Sequence, residues 1–467
     1  MSTFEFDRES FRDPAAAVFY SDGRVLRALT EKGAADWAAL SRSNFFDALT
    51  AKGMVVRTTA VDSTSLPTND APGGYAAFLE HERIPFVSYP YEWTFTMLQD
   101  AAALQLEVLL ASLENGFTMK DGYAFNVQWR GASPTFIDVG SFEPSRGEPW
   151  GGYRQFCRTF LYPLLLEAHL AVPFQRFMFG DLEGVEPTDM RRLLRGRKRF
   201  AKGVFRNVYL HGVIDARATR STRDVHADLS RAGFGNELAK ALARKLLKLV
   251  RSLRSSRTAS AWTEYRDVCP YSDADREAKA RFVVDAAAQS SPRVVWDLGC
   301  NDGTFARLVA PHAEYVVAID ADDVVVDGLY RELRVGGPSN VLPLVVNLVD
   351  PSPGRGWRNG ERRALLDRGR PDLVLALALV HHLAITANVP LAEVVDWLAS
   401  FDTVVAVEFV APDDPMARRL LANKAADIHD QYTTEEFERL LGGRFTVRRR
   451  EMLPGGMRTM YLVAPCG

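Results

Sequence analysis

From about Arg293 to the C-terminus, short apolar runs alternate with helical or polar stretches: RVVWDLGC, YVVAID, VLPLVVN, DLVLALALV, TVVAVEFV, FTVRRREML and RTMYLVAP. This alternation constrains the chain more than any other feature. Runs so rich in Val, Ile and Leu are what strands buried on both faces look like, and helices between them imply a doubly wound α/β sheet. PGG separates the last two runs and reads as a tight connection, so the sheet is expected to end in an antiparallel hairpin.

At 467 residues the chain is about three times a typical single-domain length, so a second domain is expected upstream. RSLRSSRTASAW, beginning at Arg251, is rich in Ser and Arg and has linker composition, which divides residues 1–255 from 256–467. The N-terminal part reads as α+β and mostly helical. YEWTFTMLQDAAALQLEVLLASLENG has three-and-four apolar spacing and closes on Gly116, while VVRTTAVD and the turn-flanked VFYSDGRVLRAL suggest strands. The formal charge of -2 excludes a polyanion binder by overall charge, so any basic patch must be local. Cys157, Cys269, Cys300 and Cys466 are scattered without a Cys-x-x-Cys pair, which favours reduced structural thiols over a zinc or redox site. No window approaches the roughly 20 apolar residues of a membrane span, and a cytoplasmic location is expected.

VVWDLGCNDGTFARL carries the strongest chemical signal. A buried strand ends at Asp297, Gly299 follows, and Gly303 stands where a helix begins. Glycines at such a turn let backbone amides approach a ligand. A second apolar strand, YVVAID, ends in Asp320, where an acid is placed to take both hydroxyls of a ribose. These residues resemble the first motifs of class I S-adenosylmethionine-dependent methyltransferases, and the resemblance runs from about Ala261 to the C-terminus. It implies a Rossmann-like sheet of seven strands, the last antiparallel, with S-adenosyl-L-methionine as cofactor. It further implies that Asp297 orders the methionine end, that Gly299, Cys300, Asn301, Asp302 and Gly303 line it, and that Asp320 holds the ribose. After the third strand, either Asn347 or Asp350 could bond the adenine amino group. A dinucleotide site would want a third glycine, but Phe305 and Ala306 follow Gly303 instead.

The fourth strand runs into His381 and His382 at the sheet edge where ligands bind. A histidine there can take a proton from an attacking hydroxyl or amine, with a pH limb near the ordinary value of about 6.5; the alternative is a histidine packed under the cofactor. Glu408, ending the fifth strand, could orient that histidine, bind substrate, or form an edge ion pair. In related enzymes the segment before the first strand forms a lid with an aromatic near the cofactor, which makes Tyr265 and Tyr271 candidates. His429 and Tyr432 precede a helix start capped by Thr433 or Thr434 and could face substrate. The methyl acceptor implied is a hydroxyl on a small molecule, sugar or glycolipid, by similarity to bacterial methyltransferases of surface-glycan and nodulation-factor pathways. No metal is required.

In the N-terminal half, Asp121, Asn126 and Asp138, the last followed by Val139 and Gly140, resemble the catalytic loop and Asp-x-Gly of protein kinases and small-molecule phosphotransferases. There the first acid contacts the attacking hydroxyl while the Asn and second acid hold magnesium. No His-Arg precedes Asp121 and no convincing glycine-rich loop or strand lysine lies upstream, so an inactive kinase-like domain is expected, with a bifunctional methyltransferase and kinase acting on a glycan end as the alternative. RRLLRGRKRFAKGVFR, from Arg191, and KALARKLLKLVRSLR are strongly basic and could meet anionic membrane or phosphate, against the plainer reading of solvated helix faces. A nucleic-acid methyltransferase is disfavoured, because the fourth motif lacks the Asn/Asp-Pro-Pro-aromatic signature and aromatics are sparse among the basic residues.

Overall fold

The computed structural model describes residues 5–62, 74–210, 235–257, 271–422, 424 and 430–466. The chain divides into two compact units. One comprises Met1–Trp129, Pro134–Thr258 and Pro353–Arg363, and the other Arg130–Ser133, Ala259–Ser352 and Ala364–Gly467. Each unit therefore takes a short piece of chain from within the sequence span of the other.

In the first unit, β1 (Glu5–Phe6), β2 (Ala16–Ser21), β3 (Arg24–Leu29), β4 (Thr58–Val61) and β5 (Ala77–His81) form an antiparallel sheet in the order β1-β2-β3-β5-β4. Asp22 and Gly23, at φ 49° and 78°, supply the two left-handed positions that a tight hairpin between β2 and β3 demands. The helix Phe95–Glu114 starts at Thr94, whose hydroxyl accepts the Met97 N–H at 3.2 Å, and the chain reverses at Gly116 with φ 80°. Leu98, Ala101, Ala102, Leu106, Val108 and Leu109 are wholly buried, which makes this helix a core element rather than a surface one. Next, β6 (Phe117–Met119) pairs with β9 (Phe142–Pro144), and between them β7 (Val127–Arg130) and β8 (Ser133–Phe136) form a two-stranded sheet.

The second unit is built on one sheet of β10 (Val294–Leu298), β11 (Tyr315–Asp320), β12 (Val341–Val345), β13 (Leu373–Ala376), β14 (Val404–Val410), β15 (Phe445–Met452) and β16 (Arg458–Pro465). Their order is β12-β11-β10-β13-β14-β16-β15, with β10 to β14 parallel and β16 running antiparallel between β14 and β15. Val316, Val317, Ala318 and Ile319 in β11 are all fully buried. Each Val or Ile contributes about 1.5 to 3 kcal/mol by leaving water, so the central strands dominate the stability of this unit. Edge strand β15 is instead mostly exposed and carries Arg448, Arg449 and Arg450, charges that block pairing with another chain. Strand order reverses between β10 and β13, which opens a crevice at their C-terminal ends where the glycine turn and the histidine pair both emerge.

The segment assigned to a linker by composition begins as helix: Arg251 and Ser252 close the helix Gly235–Ser252. Its buried positions, among them Ala239, Ala243, Leu246 and Val250, recur at helical spacing, and the helix carries on for two residues into the Ser-Arg run.

Candidate active site

The turn after β10 is shaped by left-handed residues. Gly299, Asn301 and Gly303 have φ of 77°, 49° and 72°. The Gly299 and Cys300 amides both donate to the Ile319 carbonyl, at 2.8 and 2.9 Å, which ties the turn to the end of β11. A Cβ on Gly303 would lie 2.5 Å from Leu329 Cδ1, so that glycine also permits close packing, whereas at Gly299 the nearest atom is 3.4 Å away and the backbone conformation is the constraint. Asp302 accepts from the Thr304 amide and hydroxyl, at 3.1 and 2.7 Å, and so starts the following helix. Cys300 is buried, and burial pushes its thiol well above the usual range, which leaves it protonated and inert.

Asp320 closes the turn from the other side. Its Oδ2 accepts the Asn301 N–H at 2.9 Å and its Oδ1 the Asp322 N–H at 3.0 Å. Burial raises its pKa, and those backbone donors oppose the rise. Asp297 lies deeper. Burial pushes its carboxyl up to about 7, with Lys279 opposing and Asp320 adding to the rise. Among the described residues, Asp297 Oδ2 and Asn301 Oδ1 are buried without a hydrogen-bond partner. Two orphaned acceptors at a turn that holds its backbone in a left-handed form suit a ligand rich in donors, such as an ammonium and hydroxyls. Asn347 and Asp350 share the turn after β12. Both are exposed, and the Asn347 Oδ1 accepts the Val349 N–H at 3.1 Å.

After β13 the chain passes through Ala378 at φ 51° and delivers His381 and His382 with their rings 4.1 Å apart. His381 is buried, and neither of its ring nitrogens has a hydrogen-bond partner among the described residues. Burial, then His382, Arg458 and Lys279, hold its pKa well below 6.5; burial and Arg458 bring His382 down to about 4. Both rings are thus neutral at pH 7, and the limb expected near pH 6.5 is corrected downwards. The chief reason is burial, to which Arg458 adds at both rings and His382 and Lys279 add at His381, and no local pattern reveals it.

Glu408 belongs to a buried charge network. Lys279 Nζ lies 2.7 Å from its Oε2, the Tyr271 hydroxyl donates to its Oε1 at 2.7 Å, and Arg458 stands 3.6 Å away. Lys279 also donates to the Tyr271 oxygen at 3.0 Å, and Arg458 pairs with Asp414 at 2.8 Å while lying 4.0 Å over the Tyr271 ring. Although burial alone would raise the Glu408 pKa, Lys279 and Arg458 outweigh it and hold the carboxylate ionised. Of the readings open to Glu408 the ion pair is the one present, with Lys279 and Arg458 as its cations. Tyr271 enters the network through its hydroxyl. Lys279, Arg458 and Asp414 escaped the sequence reading. Lys279 had a signal: it sits in the buried stripe Asp275, Ala278, Lys279, Phe282, Val283 of the helix Asp273–Ser290, where a cation needs a partner. Tyr432 is buried and donates to the Val410 carbonyl at 2.7 Å, so it anchors β14 instead of facing substrate, and Thr433 is the cap of the next helix. Tyr265, His429 and Cys269 lie outside the described residues.

In the first unit Asp138 is held by Arg27 at 2.9 Å, and Asn126 Nδ2 lies 3.5 Å from the same carboxylate. Arg27 is buried on β3 and also donates to His81 Nε2 at 3.1 Å. Burial and Asp138 raise the Asp121 pKa. A guanidinium thus stands at the carboxylate to which the kinase resemblance assigns magnesium. Among the described residues no group of three His, Cys, Asp or Glu could hold a metal ion, and none of their helices is long and apolar enough to cross a membrane.

No family model matches the chain. Among solved structures, the N-methyltransferase NodS from Bradyrhizobium japonicum WM9 covers 42% of this chain and 98% of its own at 12% identity and a TM-score of 0.31. Magnesium protoporphyrin IX methyltransferase (ChlM) from Synechocystis PCC 6803 with bound SAM covers 44% and 92% at 15% identity and a TM-score of 0.30. Nodulation protein NoeA of Rhizobium meliloti (strain 1021) is 34% identical over 463 residues, which is 97% of this chain and 94% of NoeA. The chain belongs to the NoeA family. Because the match to NoeA spans nearly the whole of both proteins, it takes in the N-terminal sheet as well as the glycine turn and the histidine pair.

Proposed function

We propose that this NoeA-family chain is a methyltransferase that uses S-adenosyl-L-methionine and methylates a hydroxyl on a small molecule, sugar or glycolipid. The observation that carries the reading is the glycine turn locked to Asp320 beside the orphaned oxygen of Asp297. Bound there, the cofactor supplies a methyl carbon activated by sulfonium charge. Asp320 has lone pairs left for two ribose hydroxyls, Asp297 and Asn301 offer free acceptors to the methionine end, and Asn347 or Asp350 is within the turn that would meet adenine. His381, neutral and with both ring nitrogens unpartnered, is the base. The name of its relative, a nodulation protein, is compatible with an acceptor that takes part in nodulation.

Calorimetric titration of the full chain with S-adenosylhomocysteine tests the reading. Asp320→Ala is expected to weaken binding by about 1 to 3 kcal/mol through lost charged hydrogen bonds. Wild-type affinity in the folded variant would sink it.

A further inference from the structure

No acidic residue lies between Met190 and Tyr209. Within that stretch Arg195, Arg197, Arg199, Lys202 and Arg206 are exposed, and none of the five has an ion pair among the described residues. In a chain whose formal charge is -2, these cations are a local concentration of positive charge. Aromatic rings stand among them. Phe200 is 67% exposed and Phe205 46% exposed, and Leu193 in the same stretch of sequence is 40% exposed. Phe200 faces Phe205 with centroids 6.1 Å apart, Phe205 faces Tyr209 at 6.3 Å, and the Arg199 guanidinium lies 4.5 Å over Phe200.

The patch is held in place. The Tyr209 hydroxyl donates to the Arg191 and Leu194 carbonyls, at 3.0 Å each, and Gly203, at φ 81°, sits where a Cβ would come within 2.7 Å of Leu249 on the helix Gly235–Ser252. Lys245, one helical turn before Leu249, is exposed as well.

We propose that this face docks on a phospholipid surface with anionic headgroups. Exposed rings in a frame of exposed cations match the two layers of such a surface: the cations meet the headgroup phosphates while the rings enter the apolar boundary below. A nucleic acid would need ring faces on which bases stack. Here the ring faces are already turned to one another and to Arg199, which favours lipid.

The test is co-sedimentation of the full chain with vesicles of phosphatidylcholine alone and of phosphatidylcholine mixed with phosphatidylglycerol, at low and high salt. Binding to the mixed vesicles only, weakening as salt rises, is expected. Arg197→Ala with Arg199→Ala should lower vesicle affinity by about 25-fold, at about fivefold per cation. Phe200→Ser with Phe205→Ser changes exposed rings, so the variant should keep its melting temperature and its salt dependence while losing most of its vesicle binding. Equal binding to both vesicle types, no binding to either, or full binding by the Phe variant would overturn the proposal. So would tighter binding to single-stranded RNA than to the mixed vesicles, or a dimer that the Phe variant dissolves.

Discussion

Replacing Asp297 by Asn should make the protein more stable at alkaline pH while damaging its site. In the folded chain, burial lifts this carboxyl from the ordinary 3.8 to about 7. Below about pH 4 it is protonated in both folded and unfolded chains and costs nothing. Between about pH 4 and 7 the unfolded chain releases the proton while the folded chain keeps it, so stability falls by about 1.4 kcal/mol per pH unit. Above about pH 7 the cost levels off at about 4 kcal/mol. An Asn at this position has no charge to bury. It would, however, place an amide donor where Asp297 Oδ2 has no partner, at a cost of about 1 to 3 kcal/mol. The net gain for Asp297→Asn is therefore about 1 to 3 kcal/mol at pH 8, shrinking to about zero at pH 5. Scanning calorimetry of the full chain and its variant at both pH values, in one ionic strength, measures it. Wild-type binding of S-adenosylhomocysteine should weaken below pH 7 as the carboxylate takes a proton, and the variant's binding should be weaker and flat with pH. If the variant's melting temperature relative to wild type is no higher at pH 8 than at pH 5, Asp297 is not a buried, strained carboxyl and the reasoning fails.

Lys279→Met should destabilise by about 3 to 5 kcal/mol by stripping Glu408 of its nearest cation, and adding Glu408→Leu should recover most of that loss; urea denaturation of the single and double variants decides, and additive losses would contradict a shared ion pair. His381→Gln should cut turnover about 100- to 10,000-fold with cofactor affinity intact once an acceptor is in hand. In the same assay at saturating cofactor, where the effect of Asp297 on binding is suppressed, the wild-type pH profile should show no acid limb near 6.5, since His382 is held at about 4 and His381 well below its ordinary value; a limb at 6.5 that vanishes in His381→Gln would show that burial and the nearby cations do not depress the ring. Magnesium with ATP should leave the melting temperature of the full chain unchanged, because Arg27 is already bound to Asp138, and a shift abolished by Asp138→Ala would reverse that reading.

Much of the sheet could be read from the chain because its determinants are local. An apolar run of strand length, a glycine that must adopt a positive φ, and a Thr three residues before a Glu act over a few neighbours, whatever the rest of the molecule does. So the Rossmann-like alternation, the turn from Gly299 to Gly303, the Asp at the end of β11, the hairpin at PGG and a helix cap at Thr433 or Thr434 were all legible. The chemistry of the site was not. Tyr271 and Glu408 are 137 residues apart in sequence, and their meeting with Lys279 and Arg458 exists only in the folded sheet. That meeting keeps Glu408 ionised and adds to the burial that holds His381 and His382 neutral. Arg27 at Asp138 is the same lesson in the first unit, where an Asp-Asn-Asp spacing is visible in the chain but the guanidinium that fills it arrives from β3. Sequence by itself determined where strands, turns and caps fall, because torsional preference and periodic burial are properties of neighbouring residues. Only the tertiary structure decided protonation and partnership, because desolvation and Coulomb energy depend on distances through space that the order of residues does not contain.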